Sequence, residues 1–356
     1  MPYIRSGIVV AGLLVILVTL LPMTPSDQWW IRVFDFPRLQ IAAGALLVAG
    51  AFLFFYDVGR IWHHLFLAGV LIAFGYQAVR IFSYTPLASK QVVDAEDCEP
   101  SAAVRLLVVN VLMENRRAGD LLEIVGEVGP DVILAVEGDD WWDRQLSALD
   151  RDFPFAVRKP LDNTYGMHLF SKLELEQPEV RFLVEDEVPS LHTRVRLRSG
   201  ASVDFYGVHP RPPKPGQDTE ERDAELVMVG KQAKERGRPA IVAGDLNDVA
   251  WSSTTRLFQR VSGLLDPRIG RGMYSTFNAN WRVLRWPLDH VFHDDSFTLR
   301  ELRRLRHFGS DHFPVLADLC YDFQGGAAQE APAPEPGDEA EAQETIREGA
   351  EAEREE

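Results

Sequence analysis

Apolar positions along the chain follow two different rules. From Ser6 to Ser26, Leu39 to Tyr56 and Ile61 to Val79 there is no charged residue, and Val, Leu, Ile, Ala and Phe dominate. Each run approaches the roughly 20 residues that cross a bilayer as a helix. Three transmembrane helices are therefore predicted, at about 6–26, 39–56 and 61–79, in a membrane region covering residues 1–95. The link Asp57–Arg60 is short, which makes the second and third runs a tight helical hairpin. Trp29 and Trp30 suit a membrane interface. The alternative is a cleaved signal peptide followed by a buried helical pair. Two further apolar runs and the unsuitable cleavage sequence Leu21-Pro22-Met23 weigh against it.

From Pro100 to Phe323 short apolar runs alternate with helical spacing, the pattern of one α/β domain. Strands are expected at Val104–Val109, Asp131–Val136, Gly166–Phe170, Val180–Val184, Thr193–Leu197, Ser202–Val208, Pro239–Ala243, Pro287–Phe292 and Phe313–Leu319. Helices are expected at Asp120–Val128, Thr219–Glu235 and Ser252–Gln259, and Arg300–Arg306 also has a helix-like spacing. From Gln324 the chain is rich in Ala, Glu and Pro without apolar periodicity, so residues 324–356 read as a disordered acidic tail.

Charge narrows the class of partner. The chain carries −16; eleven acidic side chains face two arginines from Glu330 onward, and the first 97 residues hold six of each sign. The stretch between them therefore carries seven of the net negative charges. A nucleic-acid clamp would be basic, so this balance argues mildly against one. No cysteine cluster has zinc spacing; the only two cysteines are Cys98 and Cys320.

Chemistry enters at the strand ends. Asn110, Glu137, His209 and the segment Gly244-Asp245-Leu246-Asn247 each follow an apolar run, Asp289 lies inside one, and Asp311-His312 precedes one. A carboxylate at the mouth of a buried strand offers the oxygen that a hard divalent cation prefers. Asp245 and Asn247 are two apart, so on an extended backbone they share a face. Taken singly, most of these residues read more readily as a turn former, a cap or a surface side chain. Taken together and in this order, they suit general acid/base work on a phosphoester.

Seven segments carry a family resemblance. They are Val109-Asn110-Val111, Ala135-Val136-Glu137, Tyr165-Gly166-Met167, Gly207-Val208-His209-Pro210, Ala243-Gly244-Asp245-Leu246-Asn247-Asp248, Pro287-Leu288-Asp289-His290-Val291 and Gly309-Ser310-Asp311-His312-Phe313-Pro314. This set resembles the endonuclease/exonuclease/phosphatase superfamily, in its membrane-anchored bacterial form. The resemblance implies a two-sheet, four-layer α/β sandwich of the DNase I-like type over residues 100–323, preceded by the N-terminal transmembrane helical region. It implies a metal-dependent hydrolase with Mg²⁺ as cofactor and Mn²⁺ as the alternative. Glu137, Asn110 and Asp311 would serve the metal. His209, Asp245, Asn247, Asp289 and His312 would be catalytic, with either Asp245 or His312 as the base. Tyr165, Arg282 and Arg285 would meet the substrate, and Trp281 and Trp286 would stack on a base or dip into lipid. A packed loop with solvated arginines is the plainer reading of 278–286.

The expected activity is that of a membrane-anchored phosphodiesterase or phosphatase. The alternatives are a tethered nuclease acting on extracytoplasmic DNA and a non-catalytic scaffold of the same fold. Expected partners are the lipid bilayer and a phosphoester substrate (lipid head group, soluble diester or nucleic acid); no protein partner is inferred. The implied fold brings its first and last strands together, which favours a Cys98–Cys320 disulfide over two unrelated buried thiols. Such a bond places the domain outside the cytoplasm, at the bacterial inner membrane. The positive-inside tendency points the other way, since Arg32, Arg38, Arg80 and Lys90 would then lie outside and only Arg5 and Arg60 inside.

Overall fold

The computed structural model describes residues 2–322 and 329–355 and divides into two compact units. The first comprises residues up to Ala88 together with Pro213–Thr219. It contains α1 (Pro2–Leu20), α2 (Trp29–Arg32), α3 (Arg38–Leu53) and α4 (Ile61–Phe82). Two of its helical segments, Tyr3–Met23 and Ile61–Phe82, are long and apolar enough to cross a membrane. A third span is reached only by joining Trp29–Asp35 to Arg38–Leu53 across a 73° bend. Inside this unit Arg38 donates to Gln77 Oε1 at 3.0 Å and Gln77 donates to Thr19 at 3.0 Å, which links three buried polar side chains.

The second unit is built from two sheets. One has the order β10-β11-β1-β2-β4-β3, from β1 (Ala103–Asn110), β2 (Val132–Val136), β3 (Phe155–Lys159), β4 (Met167–Ser171), β10 (Phe297–Arg304) and β11 (Val315–Tyr321). The other has the order β5-β6-β7-β8-β9, from β5 (Glu174–Phe182), β6 (Pro189–Arg196), β7 (Ser202–Val208), β8 (Ala240–Asp245) and β9 (Asp289–His293). Alternation along each strand explains the layers. Leu106, Val108, Leu134, Leu169, Phe205, Ile241 and Ala317 point inward and form the core between the sheets. Their neighbours Leu107, Val109, Ile133 and Ala135 pack outward on α5 (Ala118–Val128) and α6 (Asp140–Leu146). Tyr206, Val208, Val242 and Phe292 pack on the other outer face with α7 (Glu220–Arg236) and α8 (Ser253–Ser262). Strands buried on both faces leave near-continuous apolar runs in the sequence.

The register sets the site. β1 runs parallel to β2 with Asn110 opposite Val136, and antiparallel to β11. β7 runs parallel to β8, and β8 runs antiparallel to β9 with Asp245 opposite Asp289. The functional positions of both sheets therefore meet at one end of the sandwich. At its other end Cys98 and Cys320 form a disulfide with 5.9 Å between Cα atoms.

Three expectations are corrected. Arg300–Arg306 is not helical: Arg300, Arg303 and Arg304 lie on strand β10, where Arg300 pairs with Asp318 at 3.1 Å and Arg306, beyond the strand, pairs with Glu123 and Glu127. A bulge between Leu299 and Glu301 shifts the register and hides the strand's alternation. The expected strand Val180–Val184 begins earlier, as β5 from Glu174 with a bulge between Glu176 and Glu179, around Pro178. The expected disordered tail contains α9 (Asp338–Glu355); positions 324–328 and 356 of that tail lie outside the described residues. Ala and Glu are strong helix formers, and this helix packs along α7 and touches α8. Ala342 is buried with Val227 and Leu257, and Arg260 grips both oxygens of Asp338 at 2.8–3.0 Å. Gly349 lets the helices touch, because a Cβ there would lie 2.4 Å from Ala224.

Candidate active site

Asn110 is the point where the sheets are joined. Its side-chain amide donates to Glu137 Oε1 at 2.6 Å and to Asp245 Oδ2 at 3.0 Å, and its amide oxygen accepts the Leu112 N–H at 2.9 Å. Its backbone carbonyl accepts the Ser310 hydroxyl at 2.8 Å, and that hydroxyl oxygen accepts the His312 N–H at 3.0 Å. Ser310 thus fixes the loop that carries His312. Gly244 makes the approach to Asp245 tight: its φ is +148°, and a Cβ would lie 1.8 Å from the Val208 carbonyl.

The central chain of ionisable groups is Asp289–His312–Asp245. His312 Nδ1 lies 2.7 Å from Asp289 Oδ2, and Nε2 lies 3.4 Å from Asp245 Oδ2. Burial alone would lower this imidazole, but Asp289, Asp245 and Asp311 outweigh it and raise the group to about 10. Asp289 braces His312 and not its sequence neighbour His290, since adjacent strand residues face opposite ways. His290 lies against Arg268 at 2.5 Å instead. Burial raises Asp245, partly offset by His312 and reinforced by Asp289. Burial also raises Glu137, against the pull of His209 and the Asn110 hydrogen bond.

The other expected residues divide into near and far. His209 is buried, with Nε2 3.9 Å from Glu137, and Tyr165 packs on it at 5.7 Å between rings. Asn247 donates its amide to the Pro210 carbonyl at 2.9 Å, beside His209. Asp311 is half-buried near His312 and Asp245, and burial raises its carboxyl. Arg282 is exposed, and Arg285 bonds the Ala279 and Trp281 carbonyls of its own loop and stacks on Phe313. Neither bonds a member of the cluster.

Several supporting residues leave little trace in the sequence. Arg222, buried in the first turn of α7, donates to the Asn247 carbonyl at 2.9 Å. Thr276 accepts the Asp289 N–H at 3.3 Å. Arg211 pairs with the buried Glu185 and bonds Tyr165; burial pushes the Glu185 carboxyl up to about 7. Only Ser310 was discoverable, inside its Gly-Ser-Asp-His segment.

The donor set suits a divalent cation. Glu137, Asp245 and Asp289 place carboxylate oxygens in a buried region, and Asp289 Oδ1 has no hydrogen-bond partner. Among the described His, Cys, Asp and Glu side chains, one group of three brings ligand atoms within 4.8 Å of one another: Asp245, Asp289 and His312.

Two mixed sheets with helices on both outer faces and this cluster at one end define the DNase I-like α/β sandwich. A model of the Endonuclease/Exonuclease/phosphatase family matches residues 107–312. That is more than half of the chain, and the chain belongs to this family. Members are generally phosphoester hydrolases that need a divalent metal, and they include phosphodiesterases, phosphatases and nucleases. No curated protein matches the chain. Among solved structures it is similar to the human Nocturnin catalytic domain with bound sulfate anion, at 17% identity and TM-score 0.52, covering 63% of this chain and 96% of that one. It is also similar to D. rerio TDP2 complexed with single strand DNA product, at 17% identity and TM-score 0.51, covering 61% and 99%. A third likeness is to the endonuclease/exonuclease/phosphatase from Beutenbergia cavernae, at 16% identity and TM-score 0.52, covering 62% and 72%.

Proposed function

We propose that the chain is a phosphoester hydrolase that uses Mg²⁺ and is anchored in a membrane by its apolar helices. The observation that carries this reading is the Asn110 bridge. One amide holds Glu137 and Asp245 together across two sheets, next to an imidazole clamped between Asp245 and Asp289. Glu137 and Asn110, with Asp311 nearby, would hold the ion. When bound it would offset the negative charge of the phosphoryl oxygens.

The protein groups divide the remaining work. With His312 raised to about 10, the imidazole is already protonated at neutral pH and acts as a donor to a phosphoryl oxygen. Asp245, whose carboxylate lies 3.4 Å from His312 Nε2, orients the attacking water and accepts its proton. The water oxygen bonds to phosphorus as the bond to the leaving oxygen breaks. His209 protonates that oxygen, and Asn247 holds the phosphate. A diester and one water give a phosphomonoester and an alcohol. The Cys98–Cys320 bond supports an oxidising compartment for this domain, outside the cytoplasm.

The test is release of p-nitrophenol from bis-p-nitrophenyl phosphate by the full chain in detergent, with Mg²⁺ or with EDTA. Turnover should require the metal and fall by roughly 10³-fold or more in Asp245→Asn. Metal-independent turnover, or a near-normal Asp245→Asn rate, refutes the mechanism.

A further inference from the structure

Large apolar side chains left exposed are concentrated in the first 93 residues; among the described residues beyond them there are four, Phe182, Trp281, Val283 and Leu284. Three of the four are packed into one four-residue stretch with exposures of 60%, 75% and 40%, and the residue between them, Arg282, is exposed as well. Scattered exposed hydrophobics are ordinary, but a cluster on an otherwise polar surface marks an interaction site.

The loop that carries them is held firmly. Thr276 and Phe277 both donate to the Trp286 carbonyl, at 2.9 and 3.0 Å. Ala279 donates to the Asp311 carbonyl at 2.6 Å, and the Phe277 ring packs 4.9 Å from that of His312. Arg285 ties the loop from inside and lies 4.9 Å over Phe313. The apolar tip is therefore a fixed projection beside the residue that would donate to the phosphoryl group.

We propose that residues 281–284 dock on a phospholipid bilayer, so that the site takes a phosphodiester from its head-group layer. This rests on the hydrolase reading above. Val283 and Leu284 enter the acyl boundary, Trp281 lies at the head-group level, and Arg282 meets lipid phosphate. Nucleic acid fits less well, because Val283 and Leu284 have no face on which a base stacks and the part of the chain between residues 98 and 329 is net negative as a whole. The chain itself supplies the membrane. The 20 residues from Ser83 to Ala102 are all that separates α4 from β1, so the domain works at high effective lipid concentration.

The full chain is placed in nanodiscs of phosphatidylcholine and phosphatidylglycerol. Both native cysteines are disulfide-bonded, so Val283→Cys accepts one environment-sensitive dye. Its emission should shift to the blue and be quenched by brominated acyl chains. A water-like emission that ignores brominated lipid, or one that responds only to an added oligonucleotide, overturns the docking. In the same nanodiscs, Val283→Ser/Leu284→Ser should slow phospholipid hydrolysis at least ~10-fold. Turnover of soluble bis-p-nitrophenyl phosphate should stay within about twofold, since only uniform binding to the surface is removed. Equal losses on both esters, or none on lipid, refute the head-group assignment. A wild type inactive on every ester refutes the hydrolase reading and the head-group assignment with it; the dye still decides the docking.

Discussion

Asp289 and His312 are 23 residues apart in sequence and 2.7 Å apart in space. Their partnership dictates the alkaline behaviour. A raised imidazole is protonated at neutral pH and loses its proton as pH climbs through about 10, so the donor and the activity fade on that limb. Asp289→Asn removes the largest raising influence and should move the alkaline limb of kcat/KM downward by roughly one pH unit or more. An unmoved limb assigns it to another group. Glu137 governs the acid side. Burial raises its carboxyl, so a proton competes with the cation over a higher range than for an ordinary glutamate. Mg²⁺ protection against thermal unfolding should therefore weaken as pH is lowered, and Glu137→Gln should abolish the dependence. Asn110→Ala leaves Glu137 and Asp245 facing each other without their shared donor. A loss of ~1–3 kcal/mol in urea unfolding is expected, partly recovered by Mg²⁺. Glu137, Asp245 and His312 were legible because each ends or precedes an apolar run. Arg222 and Arg268 were not, because a buried arginine is recognisable only by the acceptors it meets in three dimensions.

Helices and strands differed in how well their pattern announced them. β1, β2, β7 and β8 are buried on both faces, and their unbroken apolar runs read directly. β10 did not, because Arg300, Arg303 and Arg304 repeat at helical spacing while a bulge interrupts the alternation of the strand. α9 was hidden for the opposite reason. Its propensity is high, but Ala342 and Ile346 alone join the apolar contact with α7 and α8, too few to make a stripe. Much of its attachment is electrostatic and steric, through Arg260–Asp338, Lys231–Glu339 and the crossing at Gly349. Gly349→Val should lift the helix, since the new methyls meet Ala224 and the Glu220 carbonyl. The expected cost is about 1–3 kcal/mol, with faster amide hydrogen exchange confined to α9 and the facing turn of α7. Unchanged exchange there contradicts the packing account.

At the scale of the molecule, one covalent bond joins the segment that enters the sandwich to the strand that completes it. Cys98 and Cys320 are separated by 222 positions, and nearly every strand, including all those that bear site residues, lies between them. Reduction should lower the stability of this unit by roughly 2–5 kcal/mol, read as a shift of the urea midpoint with and without dithiothreitol. An unshifted midpoint means that the ladder between β1 and β11 already holds the two ends. The bond has a second effect under proteolytic attack. A protease that nicks any loop between residues 98 and 320 divides the backbone but leaves one covalent object. The clipped chain migrates intact on a non-reducing gel and falls into fragments only after thiol treatment, so damage to a loop does not by itself detach the two halves from each other.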